Sequence, residues 1–254
     1  MFVPAAIDAL GQHTQTHPVL GGTFFLGPAL VDALLADGHT VTLFNRGVTN
    51  PELFPHIEKL RGFRSPDSND HDLSAVSHRH FDVIIDVWPN DPAVVQSAAE
   101  FLKDRAPHYL YVSSIAAYDS KKFAKSDMKE AAPMEPWNGS GRTYNRDMAE
   151  SERRLHHIIG ERLTIVRPGP IKGRRDTTPD LLTWLLRAHP NNQGAYRISS
   201  EKAFQAGWHT RPFEETAFDC LNDFHSFHVT DEPNFLSATK EKEVLDAWAK
   251  KQGG

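Results

Sequence analysis

The sequence predicts an α/β fold built on a doubly wound parallel sheet, and three observations carry that expectation. Short apolar runs alternate with helical stretches along residues 18–168. Each run is nearly continuous in apolar residues, as a strand covered on both faces requires. A glycine-rich turn joins the first run to the first helical stretch.

The elements follow in order. Residues 1–17 have no clear period and end in polar residues, so they form an extension or a short helix laid against the body. Val19 opens a first strand, VLGGT. Pro18 would remove a ladder donor from it, so this strand is either short, starting at Val19, or displaced. GPALVDALLADG is a helix: Ala29, Leu30, Ala33 and Leu34 recur at helical spacing, Pro28 suits the first turn and Gly38 the stop. TVTLF, FDVIIDV (81–87), YLYVSS (109–114) and RLTIVRP supply further strands. PAVVQSAAEFLKD and residues 142–159 supply the helices between the later ones. Loops are expected at 47–56, 64–72 and 119–141, where Pro, Gly, Asn, Asp and Ser collect. After Pro168 the alternation weakens. TPDLLTWLLRAH and EKEVLDAWAKKQ have helical patterns, with a turn and short strand at NNQGAYRIS between them. The expected division is an extension (1–17), a dinucleotide-binding domain (18–168) and a small C-terminal lobe (169–254).

Composition narrows the function classes. A net charge of −5 over 254 residues gives no broad basic field, which argues against nucleic acid as a partner. No apolar run reaches the roughly 18 residues that span a bilayer, and the N-terminus lacks the pattern of a signal peptide. The single cysteine, Cys220, fits a reducing compartment, and a cytoplasmic protein is expected. Fourteen histidines invite a metal reading, but His78/His80 and His156/His157 stand too close for helical ligand pairs. His225/His228 lacks a third ligand at suitable spacing, so no metal is expected. The Gly-x-Ser-x-Gly and Walker patterns are absent. Lys121, Lys122, Lys125 and Lys129 are interrupted by acids and read as a solvated loop.

The sharpest motif is Gly21-Gly22-Thr23-Phe24-Phe25-Leu26-Gly27 between strand and helix. Glycines there let the backbone turn tightly against a pyrophosphate, whose charge meets the free N–H groups of the helix. This is the signature of a Rossmann-type dinucleotide site, and it makes Gly21, Thr23, Phe24, Phe25 and Leu26 candidate cofactor contacts. The bland alternative is a turn that only packs a helix on a strand. Phe24 stands where a second glycine is usual. The second strand ends Asn45-Arg46, where an acidic residue would bind a ribose 2′-hydroxyl and an arginine accommodates a 2′-phosphate. NADP is therefore expected ahead of NAD, with a solvated surface arginine as the alternative. Val87 and Ser113, at the ends of later strands, complete the candidates at the same edge.

In their order and spacing, VLGGTFFLG, HTVTLFNRG, FDVIIDV, YVSSIAAY, Tyr144 with its helix, and IVRPGPIKG resemble the extended and atypical short-chain dehydrogenase/reductases. The likeness is greatest to the NAD-dependent epimerase/dehydratase group, and it covers roughly residues 18–175. GWHTRPFEETAFDCL and the final LDAWAKK resemble the end of bacterial members. The resemblance implies catalysis by a serine, a tyrosine and a lysine four residues later. The tyrosine exchanges a proton with a carbonyl or hydroxyl, the serine orients it, and the lysine lowers its pKa and holds the nicotinamide ribose. Ser114 and Tyr144 take the first two places. Met148 takes the third, and a thioether supplies neither charge nor a ribose contact. Ser114 also reads as a strand-end cap and Tyr144 as a packed aromatic at a helix start. Asp67 matches the family's adenine-contacting acid or serves as a turn former. Arg167-Pro168 matches the family's Arg-Pro near the nicotinamide. The lobe from Gly169 onward is shorter than the family's substrate lobe.

Two functions follow as expectations. One is an NADP(H)-dependent oxidoreductase, a reductase or epimerase acting on a small carbonyl or sugar-like metabolite and pairing as a homodimer. The other is a non-catalytic dinucleotide-binding module, a redox sensor or an RNA- or partner-binding protein, which Met148 and the short lobe would suit.

Overall fold

The computed structural model describes residues 14–68, 71–87, 91–119, 121, 129–137, 141–169, 171, 199–210, 212, 215, 216 and 218. The candidate helices at 178–189 and 241–252, the strand between them, Cys220 and the His225/His228 pair lie outside these residues, as do 1–13.

Six strands form one sheet: β1 (Thr16–Leu20), β2 (Thr40–Asn45), β3 (Glu58–Arg61), β4 (Val83–Asp86), β5 (His108–Val112) and β6 (Leu163–Val166). Their order is β3-β2-β1-β4-β5-β6 and every pairing is parallel. That is the doubly wound dinucleotide-binding order, with its switch point between β1 and β4. Helices α1 (Leu26–Ala36), α2 (Pro92–Leu102) and α3 (Tyr144–Ile159) cover the sheet, and a short α4 (Glu201–Gln205) follows later in the chain.

The near-continuous apolar strands are explained by two cores. Strand side chains alternate between faces, and both faces are packed. Val19, Val41, Leu43, Val83, Ile85 and Leu110 join α1 through Leu30, Val31 and Leu34. Their neighbours Leu20, Phe44, Ile84, Tyr109 and Tyr111 join α2 and α3 through Val95, Ala98, Leu102, Met148 and Leu155. Asp91 caps α2, accepting from the Ala93 N–H at 2.9 Å, and Thr143 caps α3, accepting from the Arg146 N–H at 3.3 Å.

Strand β1 corrects the expectation about Pro18. The strand is neither displaced nor short: it starts at Thr16, runs through the proline and lies at the centre of the sheet. Its side of the ladder explains the tolerance. The Thr16 carbonyl accepts from the Asp82 N–H at 3.1 Å and the Leu20 carbonyl from the Val87 N–H at 3.4 Å, so residues 16, 18 and 20 turn their backbone toward β4. The β1–β4 register begins only at Val19, beyond the missing donor. Ahead of it, the Thr16 N–H and hydroxyl both donate to the Asp82 carboxylate, at 2.7 and 2.8 Å. Side-chain bonding thus holds the strands together where the proline leaves a rung empty. β3, whose sequence EKLR carries no apolar run, is an edge strand that the hydrophobic pattern did not announce.

Candidate functional site

All six strands end at one edge, and the Gly21–Gly27 turn lies there at the head of α1. Gly21 (φ 109°) and Gly22 (φ 85°) adopt backbone that side chains disfavour. A Cβ on Gly22 would come within 2.6 Å of the Leu43 side chain, and one on Gly27 within 2.5 Å of the Gly22 carbonyl carbon. The second contact is backbone against backbone and cannot relax by a rotamer change, so α1 approaches the turn only because position 27 is glycine. Phe25, at φ 41°, precedes α1 without a side-chain cap. Of the first three helical residues, Gly27 has its N–H bonded to the Phe24 carbonyl at 2.9 Å and Pro28 has none, which leaves the Leu26 N–H and the positive end of the helix to face an anion. Thr23 is buried. Leu26 begins the helix. Phe24 is 63% exposed on the turn.

At the end of β2, Asn45 is bonded within the protein. Its side-chain amide donates to the Gly21 carbonyl at 3.0 Å and its oxygen accepts from the Gly47 N–H at 2.9 Å. The same oxygen accepts from the Arg61 guanidinium. Asn45 therefore fixes the glycine turn to the end of β2. Arg46 is exposed, with its guanidinium carbon 5.6 Å from the centre of the Phe63 ring. Asp67 is exposed in a turn beyond β3. Val87, just past β4, packs so close to Gly21 that a Cβ there would meet its methyl at 2.9 Å.

Below this edge lies a buried cluster that no sequence motif marked. Arg64 donates to both oxygens of Asp86, at 2.9 and 2.5 Å, and the Tyr109 hydroxyl donates to Asp86 at 2.8 Å. Burial, reinforced by the Asp86 charge, pushes the Tyr109 phenol well above its ordinary range and keeps it a donor. The cluster ties the chain after β3 to the end of β4.

The ends of β5 and β6 carry the remaining candidates. Ser113 is buried and its hydroxyl donates to Glu152 of α3 at 2.5 Å. Ser114 accepts from the Ala116 N–H at 3.1 Å, capping a short 3-10 turn at Ile115–Ala117. Arg167 grips Glu152, with its Nη2 donating at 2.6 Å, and also donates to the Tyr118 hydroxyl at 3.0 Å and the Glu130 carbonyl at 3.1 Å. Pro168 is buried and its carbonyl accepts from the Ile115 N–H at 3.0 Å. Arg167 and Ser113 thus meet on Glu152, a residue that no sequence motif marked.

Tyr144 is the first residue of α3 and is 48% exposed. One turn on, Met148 is fully buried, and the Tyr111 hydroxyl approaches its sulfur at 4.0 Å. Burial pushes the Tyr111 phenol far above its usual value, so it stays neutral. The lysine position is filled by an apolar contact. The nearest charges anchored to this end of α3 belong to a different pairing: Arg142 bridges Asp147 at 3.1 Å and Asp91, the cap of α2, at 3.0 Å.

The fold is shared with solved proteins. The yeast methylglyoxal/isovaleraldehyde reductase Gre2, solved with NADPH, superposes with a TM-score of 0.60 at 13% identity, over 84% of this chain and 98% of that one. The chain has the fold of the extended short-chain dehydrogenase/reductases. Within this fold, vestitone reductase from alfalfa matches at a TM-score of 0.57 and 13% identity, over 84% of this chain and 99% of that one. The Bordetella bronchiseptica enzyme WbmH, solved with NAD+, matches at 0.54 and 17%, over 68% of this chain and 63% of its own. No protein-family model matches the chain, and no curated protein matches it in sequence.

Among the described residues, no three His, Cys, Asp or Glu side chains converge as a metal site would need, and no helix is long and apolar enough to cross a membrane.

Proposed function

We propose that the chain is an NADP(H)-dependent oxidoreductase of the short-chain type acting on a small carbonyl or sugar-like molecule. The observation that carries the reading is the uncapped start of α1 behind the Gly21–Gly27 turn, beside an exposed arginine at the end of β2. The arrangement fits a phosphorylated dinucleotide: the positive end of α1 with its Leu26 N–H for the pyrophosphate and Arg46 for the 2′-phosphate. When bound, the nicotinamide supplies hydride chemistry. The chain's own tasks are to hold the nucleotide at the glycine turn, to place Arg46 against the added phosphate, and to deliver a proton. Tyr144, half exposed at the start of α3, donates that proton to the substrate oxygen. Ser114 stands at the end of β5, on the same edge of the sheet.

Met148 sets the limit on this chemistry. A thioether supplies neither the charge nor the ribose contact that a lysine would supply at this place, so the reading is of a slow catalyst. We place it in the cytoplasm, in keeping with its single cysteine, and as a homodimer, as the family resemblance implies.

The burial of Met148 also favours a second reading, a redox sensor that binds the nucleotide and turns nothing over. Steady-state NADPH oxidation over a panel of aldehydes and ketones separates the two. The enzyme reading expects turnover that falls at least about tenfold in Tyr144→Phe, the loss of general-acid help. Binding of NADPH without turnover on any carbonyl assigns the chain to the sensor class.

A further inference from the structure

We infer that Arg61, at the end of β3, is a second phosphate-binding arginine that acts with Arg46 to select the 2′-phosphate of NADP(H) over the bare ribose of NAD(H). The inference rests on the dinucleotide-binding reading above and deepens it.

The parallel register sets Asn45 opposite Arg61, so the last residue of edge strand β3 stands beside the last residue of β2. The Arg61 guanidinium then folds across Gly47. A Cβ on Gly47 would lie 2.7 Å from its central carbon and 2.8 and 2.9 Å from two of its nitrogens. Gly47 follows Arg46 directly, so two guanidinium groups are brought to one corner of the sheet edge. Asn45 accepts from one Arg61 nitrogen and so aims the fork. Arg46 is steadied separately by the face of Phe63, two residues after Arg61.

The charge balance of this corner points to an anion. Arg64, Arg79, Arg142, Arg153, Arg154 and Arg167 each pair with a carboxylate. Among the described residues, Arg46 and Arg61 form no ion pair; Arg105 and Arg162 form none either, but they lie at the opposite end of the sheet, just before β5 and β6. Two cations at one corner with no carboxylate between them leave an unbalanced positive charge, which a doubly charged phosphomonoester offsets with charge-assisted hydrogen bonds. The position at the ends of β2 and β3 is where the adenosine ribose is expected in this fold. A nicotinamide dinucleotide lacking the added phosphate would leave the pair unmatched.

The test is calorimetric titration of the wild-type chain, Arg61→Gln, Arg61→Lys and Arg46→Gln with NADPH, NADH, adenosine 2′,5′-bisphosphate and inorganic phosphate. Arg61→Gln is expected to weaken NADPH and the bisphosphate by about tenfold or more, the loss of one charge-assisted contact, while NADH changes less than about twofold. Arg61→Lys should recover part of the loss, since it restores charge without the fork. Thermal unfolding of each variant checks that the glycine turn is intact. An equal loss of NADPH and NADH, or no loss of either, overturns the inference and leaves the dinucleotide reading standing. Inorganic phosphate binding as tightly as the bisphosphate assigns the corner to free phosphate and overturns it as well. A wild-type chain that binds neither NADPH nor NADH removes the reading and the inference together.

Discussion

Tyr111 and Met148 meet in the core, hydroxyl to sulfur at 4.0 Å, at the place on α3 where a short-chain reductase would hold its lysine. Both residues are fully buried. The departure is therefore more than a lost charge, because the side chain at this position is packed into the buried core. A weak O–H···S contact fits an adaptable thioether and a phenol that burial keeps neutral.

That packing predicts the outcome of restoring the lysine. Met148→Lys puts an ammonium into a fully buried site, and should destabilise the fold by about 2–4 kcal/mol. Urea unfolding measures this directly. A variant as stable as wild type would show that the side chain reaches the sheet edge, and the buried description of this position would be wrong.

Glu152 carries the opposite expectation, since it is the shared acceptor of Ser113 and Arg167. Glu152→Ala leaves a largely buried guanidinium without its carboxylate and should cost about 3–5 kcal/mol. Arg167→Met in the Glu152→Met background should recover much of the loss, because removing both members of a buried pair is far less costly than removing one. A loss below about 1 kcal/mol in the single variant would mean that water already screens the pair.

Position 27 tests the turn. Gly27→Ala forces a methyl to within 2.5 Å of the Gly22 backbone, so α1 must retreat from β1. The expected result is a destabilisation of about 1–3 kcal/mol, read from chemical denaturation, together with loss of nucleotide binding. Unchanged binding would separate the glycine turn from the nucleotide.

His17 gives the protein an acid sensitivity of known sign. Its ring is buried on β1, edge-on to His39 at 4.8 Å, and desolvation, with the neighbouring His39 charge, lowers its pKa from 6.5 to about 4. The unfolded chain takes up this proton near 6.5 and the folded chain only near 4, so protonation between those values favours unfolding. Stability is full above about pH 6.5 and falls as the pH drops toward 4, by an amount on the order of 2 kcal/mol from this group. His17→Phe should flatten that part of the pH–stability curve. An identical slope in the variant would place the acid sensitivity elsewhere.

How much of this was legible in the sequence depends on the range of the interaction. β2, β4, β5 and the three long helices follow from apolar periodicity and capping residues, because those signals are local. β1 was obscured by Pro18, whose missing donor is tolerated through Asp82, a partner 66 residues from Thr16. β3 was hidden because an edge strand can be charged, and EKLR has no apolar run. The same distinction holds at the site. The glycines and Arg46 lie in contiguous motifs. Arg61, the Arg64–Asp86–Tyr109 cluster and Glu152 act through partners on other strands or helices, and a single sequence carries no sign of such pairings. Ser114 was legible as a position, but its cap on Ala116 was decided by the 3-10 turn that follows it.

The account stands most directly on a fluorescence titration of the purified chain with NADPH and NADH, with Arg46→Ala measured alongside. It predicts saturable binding of both, tighter for NADPH, and a loss in Arg46→Ala confined to NADPH. The absence of binding for either nucleotide would contradict it.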